Sequence, residues 1–119
     1  MNVSDILRAV ADIKGITAVA MVSGEGFVVD SVTNEGYSVD LEFLGGVVSS
    51  AAQAGQGIIE VLGKGKLNHI MLEFDEGPLL MSSVDGFTLV SALDSAQNLG
   101  RVRFQLKKYL GQLSSALKA

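Results

Sequence analysis

The most extended hydrophobic pattern lies between Ser38 and Gly65 and predicts a helix that is apolar around most of its circumference. Ser38 is the predicted N-cap, and Gly63 or Gly65 is the predicted stop signal. A helix that covers a single sheet needs an apolar face of about three positions in seven, whereas this pattern has about four. We therefore expect the helix to cover its own sheet and to meet a second surface. Its a and d positions, in a heptad that starts at Leu41, are Leu41, Leu44, Val48, Ala51, Gly55, Ile58 and Leu62.

The second surface is best supplied by the same helix of another copy, because a chain of 119 residues offers few other partners for it. Small residues at Gly45, Ala52 and Gly55 would let two such helices approach closely. The alternative is a central helix that is wholly buried within one subunit. In both interpretations the polar residues of the helix form one strip: Glu42, Ser49, Gln53, Gln56 and Glu60.

Shorter patterns predict the remaining elements. Apolar residues at helical spacing predict a first helix over Asn2–Ile13, and Lys14-Gly15 ends it. Five β-rich segments follow, and Asp85-Gly86 is the strongest hairpin signal between them. Asp94 or Ser95 caps a final helix. The predicted strands are Ile16–Val22, Phe27–Val32, Leu67–Phe74, Leu79–Val84 and Phe87–Leu93.

This order of elements, α-β-β-α-β-β-β-α, predicts an α/β fold of the α+β kind. Strands joined by tight turns must be antiparallel. Several of them, such as Ile16–Val22, are apolar at nearly every position, which suits a sheet covered on both faces. The long helix can cover one face, and the first and last helices can cover the other. We therefore expect residues 1–119 to form a single domain, a three-layer α/β/α sandwich around a five-stranded antiparallel sheet.

Composition narrows the class of function. A hydrophobic fraction of 48% against 18% charged residues is high for so small a chain and favours surface that an oligomer hides. The net charge of -4 argues against nucleic acid as a partner. Cysteine is absent, which fits a reducing cytoplasm, and no apolar run is long enough for a transmembrane segment. We therefore expect a cytoplasmic protein with no signal peptide.

The sequence shows little chemistry of its own. His69 is the only histidine, and a lone histidine without clustered carboxylates makes a poor metal site, so a structural or interface role is expected. The glycines match no phosphate-binding loop, and the carboxylates of the turns form no catalytic pair. We therefore expect no catalytic residue, no cofactor, no bound metal and no enzymatic activity.

Two surface features allow more than one interpretation. Phe43, at the edge of the polar strip, is either a partner contact or packs on the loop near Tyr37. The last helix carries a basic stripe that could contact an acidic partner or anionic lipid, although an ordinary solvated face is the default expectation. The stripe consists of Arg101, Arg103, Lys107 and Lys108.

Several local patterns, taken in order, carry a family resemblance. Ile13-Lys14-Gly15-Ile16 leads into the first strand, and Ser23-Gly24-Glu25-Gly26-Phe27-Val28-Val29 spans the first hairpin. The small-residue helix Leu41–Leu62 follows, and Asn98-Leu99-Gly100 opens the last helix. Together they resemble the roadblock/dynein light chain family, which includes MglB-like regulators of small GTPases. The resemblance covers essentially the whole chain, and none of the patterns is catalytic.

The resemblance implies a homodimer in which the long helices pair and the third strands join edge to edge. That arrangement agrees with the independent inference from the over-wide apolar helix. It would also use the exposed edge of the third strand, which would otherwise invite aggregation. The expected dimer interface consists of Leu44, Val47, Val48, Ala51, Ala52, Gly55, Ile58, His69 and Met71.

The resemblance further implies a non-enzymatic platform that binds a Ras-like, MglA-like small GTPase and regulates or scaffolds it. No arginine finger is assigned, because Arg8, Arg101 and Arg103 lie on helices of the opposite layer. A small-molecule-sensing domain and a subunit of a dynein-type or tethering-type complex are the alternatives. The expected surface for the GTPase consists of Glu42, Phe43, Gly46, Ser49, Gln53, Gln56 and Glu60.

Overall fold

The computed structural model describes residues 1–34 and 39–118 and confirms the predicted order of elements. A short 3-10 turn, Ala96–Asn98, precedes the last helix, and Ser95 caps it. The helices are α1 (Val3–Ala11), α2 (Leu41–Leu62) and α3 (Leu99–Lys118). The strands are β1 (Ile16–Val22), β2 (Val28–Thr33), β3 (His69–Leu72), β4 (Leu79–Val84) and β5 (Phe87–Leu93).

The five strands form one antiparallel sheet in the order β2-β1-β5-β4-β3. Helices α1 and α3 pack on one face, where residues such as Leu7, Leu89 and Leu106 form the larger core. Helix α2 packs on the other face over a smaller core that includes Val48 and Val90. The predicted three-layer sandwich is therefore confirmed.

Turn chemistry fixes the hairpin between β4 and β5. Asp85 and Gly86 both have positive φ, 48° and 86°, as a two-residue turn matched to strand twist requires. The register then pairs Val84 with Phe87. The predicted bounds of β1, β4 and β5 agree with the structure because such turn signals delimit them on at least one side.

Several predicted boundaries differ from the structure, among them the start of α2 and both ends of β3. Asp40 caps α2, since its side chain accepts a hydrogen bond from the Phe43 N–H at 3.1 Å. The predicted cap, Ser38, lies outside the described residues. Strand β3 is shorter than the predicted Leu67–Phe74, because its ladder with β4 ends at the pair Leu72–Leu79. Beyond that pair the chain enters the β3–β4 turn, in which the Gly77 N–H donates to the Phe74 carbonyl at 3.3 Å.

Helix α2 is held against its own hairpin by two glycines. Gly26 adopts a φ of +93° in the β1–β2 turn, and its carbonyl lies directly against Gly45 of the helix. The Gly45 and Gly55 positions, expected to admit a second helix, therefore make room for groups of the same chain. At Gly55 the nearest side chain is Ile70 of β3. No helix in residues 1–34 or 39–118 is long and apolar enough to cross a bilayer.

Candidate interaction surface

The outward side of α2 carries apolar side chains along its full length. Phe43 is 72% exposed, Ile58 60% and Val61 87%. These positions are separated by multiples of about one helical turn, so they share one side of the helix. We call this side the outer stripe: Phe43, Val47, Ala54, Ile58 and Val61.

The sheet beside α2 is also incompletely covered. Ala18, Leu79 and Ala92 line an apolar groove of ≈ 150 Å³ that Leu41 and Leu44 border on the helix side. Few polar groups line this groove, so its contact with water is unfavourable. Burying the groove against another apolar surface would therefore be favourable. Helix α2 and the open groove together form a shelf that a second helix could occupy.

Strand β3 leaves one edge of the sheet open. It is the last strand in the sheet order, and β4 is its only partner among the described residues. Met71, Leu72 and Phe74, at or next to this edge, are exposed. An unpaired edge with apolar side chains is a template for another strand.

The predicted dimer residues differ in exposure and are either exposed, buried or partly buried. Val47 and Ile58 lie on the outer stripe, and His69 and Met71 lie exposed on β3. Val48 is only 4% exposed and belongs to the core of its own chain. The remaining residues are partly buried between α2 and the sheet: Leu44, Ala51, Ala52 and Gly55.

Val61 is 87% exposed on the outer stripe but is absent from the interface residues that the sequence predicted. It occupies a g position of the heptad, so the over-wide apolar pattern contained the signal. Phe43, predicted for the partner surface, is exposed on the outer stripe together with Val61. The alternative contact of Phe43 with the loop near Tyr37 concerns a residue outside the described ones.

The predicted GTPase surface is partly a cleft. Ser49 is buried, and its hydroxyl donates to the Gly24 carbonyl at 2.9 Å, so its role is to attach α2 to the first hairpin. Ser49, Gln53 and Gln56 line a cleft of ≈ 530 Å³ that faces the β4–β5 turn. The members that remain exposed on the helix are Glu42, Phe43, Gly46, Gln53 and Glu60.

His69 has a structural contact on the α3 side of the sheet. Its Nδ1 lies 3.0 Å from the hydroxyl of Ser82, a fully buried residue on β4. Burial lowers the pKa of His69 below its ordinary value of 6.5, and the nearby Arg103 guanidinium lowers that pKa further. Among the described residues, no group of three or more His, Cys, Asp and Glu side chains could hold a metal ion.

The lowered pKa makes folding stability depend on His69. Since the unfolded chain binds a proton at this residue more readily than the folded chain, stability must fall as the pH drops through about 6.5. We expect the free energy of unfolding of the parent protein to decrease between about pH 7.5 and 5.5 more steeply than that of His69→Asn. Urea denaturation across this range measures both slopes, and parallel pH profiles would contradict the assignment.

Comparisons with known proteins agree with this architecture. The family model described as the Roadblock/LC7 domain matches residues 3–92. The uncharacterized protein MJ0310 of Methanocaldococcus jannaschii is 32% identical over 95 residues, which cover 80% of this chain and 82% of that protein.

Solved structures share the fold at low sequence identity. Myxococcus xanthus MglB superposes with a TM-score of 0.88 at 20% identity, covering 99% of this chain and 98% of that chain. A Roadblock/LC7 domain from Streptomyces avermitilis gives a TM-score of 0.86 at 14% identity and covers 100% of both chains. With the family model spanning most of the chain, the protein belongs to the Roadblock/LC7 domain family.

Proposed function

We propose that this chain is a non-enzymatic homodimeric platform that binds a Ras-like small GTPase and regulates or scaffolds it. The observation that carries the proposal is the shelf beside α2, where the described residues leave both the outer stripe and the apolar groove uncovered. Such contiguous apolar surface is typical of an interaction site. The compartment we propose is the cytoplasm, since the sequence contains no cysteine.

A second copy fits this shelf in chemistry and shape. Its α2 would place Val47 and Ile58 against the groove, which contains little polar surface to desolvate. Its β3 would pair with the open edge of β3 and extend the sheet across both subunits. Both contacts are symmetric under a two-fold axis, as most homodimer interfaces are.

The dimer leaves the polar strip of α2 available for a different partner. Glu42, Gln53 and Glu60 lie on the side of the helix turned away from the groove. A polar, charged surface suits a reversible partner better than a permanent one. The resemblance to MglB-like regulators supports a small GTPase as that partner.

Affinity capture tests the proposed partner. The immobilised protein would be offered extract from its own cells, once with a non-hydrolysable GTP analogue and once with GDP. We expect the parent protein to retain a small GTPase in the presence of the GTP analogue. The double variant Glu42→Lys/Glu60→Lys should not retain it. Reversing two exposed charges on the strip should weaken such a complex about tenfold or more.

A matched control distinguishes the loss of contacts on the polar strip from the effect of a changed net charge. Asp75→Lys/Glu76→Lys makes the same charge change in the exposed β3–β4 turn and should retain the GTPase. If both double variants captured the GTPase equally well, its binding surface would not be on α2. Recovery of no GTPase in either nucleotide state would reject the proposed function.

The cleft beside α2 supports a second candidate, a small-molecule-sensing domain. Its ≈ 530 Å³ falls within the size range of ligand pockets, and Lys66, Asn68 and Thr88 add polar groups to its lining. Thermal denaturation against a panel of metabolites tests this candidate. A ligand that raises the Tm of the parent but not of Gln53→Ala would favour it, whereas no stabilisation by any metabolite would count against it.

A further inference from the structure

Helix α3 concentrates the positive charge of the chain. The protein has 9 lysines and arginines against 13 carboxylate residues, and its net charge is -4. Helix α3 nevertheless contains no aspartate or glutamate. More than half of the basic residues lie on this one element: Arg101, Arg103, Lys107, Lys108 and Lys118.

The outward side of α3 forms a ridge, and the ring of Phe104 is at its crest. The exposed residues of this ridge are Arg101, Arg103, Phe104, Lys107, Lys108 and Lys118. Val102, Leu106 and Leu113 are buried and attach the helix to the sheet. Phe104 lies on the opposite side and is 74% exposed. Because the apolar face of α3 is already used in the core, only the crest and its flanks can contact a partner.

Among the residues that the structure describes, most of the basic side chains on this ridge have no carboxylate partner. Lys118 is the exception, with its Nζ 3.9 Å from the Asp85 carboxylate. In residues 1–34 and 39–118 no carboxylate oxygen lies within 4.0 Å of the charged groups of Arg101, Arg103, Lys107 or Lys108. Lys108 instead lies 4.9 Å from the centre of the Tyr109 ring, a contact that leaves its charge in place.

We propose that this ridge docks the protein on a membrane surface that contains anionic lipid. The basic side chains would contact lipid phosphates, and the Phe104 ring would enter the interface between headgroups and acyl chains. A lipid surface is flat and accepts a protruding aromatic side chain. An acidic polypeptide would need to supply a groove around the ridge, so the convex shape favours the membrane.

The overall negative charge does not oppose this docking strongly. The molecule is 28 Å across in its shortest dimension, whereas charges in physiological salt are screened over about 8 Å. The carboxylates of α2, such as Glu42 and Glu60, lie on the opposite layer of the sandwich. The ridge is also separate from the polar strip of α2, so the inference does not depend on a GTPase partner.

Vesicle flotation tests the proposal with the full chain. The vesicles would contain phosphatidylglycerol and phosphatidylcholine at about 3:7, or phosphatidylcholine alone, in salt of about 0.05 or 0.5 M. We expect binding to the anionic vesicles only, with loss at high salt. Lys107→Gln/Lys108→Gln should reduce partitioning about 25-fold, at about fivefold per charge, and Phe104→Ala about tenfold.

The control removes the same charge elsewhere. Lys64→Gln/Lys66→Gln, in the exposed segment after α2, should bind anionic vesicles within about twofold of the parent. Equal losses in the two double variants, or equal binding to uncharged vesicles, would overturn the proposal. Binding to poly-glutamate but not to anionic vesicles would overturn it in favour of an acidic polypeptide. Phe104→Ala that alters only self-association would also overturn it, by placing the ring in an interface between copies.

Discussion

Gly45→Ala is expected to destabilise the folded protein by about 3 kcal/mol. A Cβ atom at this position would overlap the carbonyl oxygen of Gly26 and lie 3.1 Å from its carbonyl carbon. The hairpin cannot move aside easily, because the Gly26 N–H donates to the Ser23 carbonyl at 3.0 Å and the Ser23 N–H donates to the Phe27 carbonyl at 2.8 Å. Relief of the overlap must therefore lift the start of α2 from its sheet. Urea denaturation at one fixed protein concentration measures the loss, since self-association would add to apparent stability.

The neighbouring glycine provides the control. A Cβ atom at Gly46 would meet no atom within 4 Å. Gly46→Ala therefore causes no steric overlap and changes only the helix propensity of this position. We expect this variant to gain about 0.5 to 1 kcal/mol, because alanine loses less backbone freedom on folding. Opposite signs at adjacent positions would establish the close approach of α2 to the first hairpin. Two variants of equal stability would show that the approach is absent in solution.

Ile58→Asp is expected to weaken self-association at least about 100-fold while the single chain stays folded. In the proposed dimer, two symmetry-related carboxylates would be buried together against apolar surface. Ile58 is 60% exposed in the isolated chain, so the substitution removes little packing from its own core. Analytical ultracentrifugation across a concentration series measures the dissociation constant, and far-UV circular dichroism checks the helix content.

Gln53→Asp separates the loss of a hydrophobic contact from the effect of an aspartate in the helix. It adds the same charge to the same helix, but on the polar strip, and carries a similar cost in helix propensity. We expect it to dimerise like the parent protein. Dimers that persist in Ile58→Asp would exclude the outer stripe from the interface. A parent protein that is monomeric at every concentration would reject the homodimer itself.

Local signals were sufficient to predict the elements. Asp85-Gly86 requires a tight turn with positive φ at both positions, and the structure has that turn. Gly63, predicted as a stop signal, ends α2 with a φ of +64°, because glycine adopts the left-handed conformation without steric cost. The two-sided apolar pattern of β1 also predicted a sheet buried between layers of helices.

The tertiary structure decided how those elements meet, because residues far apart in sequence determine it. The ladder of β3 ends at the pair Leu72–Leu79, so the length of this strand depends on its pairing with β4 and not on the apolar pattern of Leu67–Phe74. The heptad could not separate the apolar positions of α2 that face the sheet from those that face away from it, whereas contact with the sheet buries Val48 and leaves Val61 exposed. Gly45 and Gly26 are separated by the whole second strand, so only the packed fold shows that they touch. By itself the sequence determined the elements and their apolar faces, since those depend on neighbours in the chain. Packing across the sheet decided which apolar face remained available for a partner.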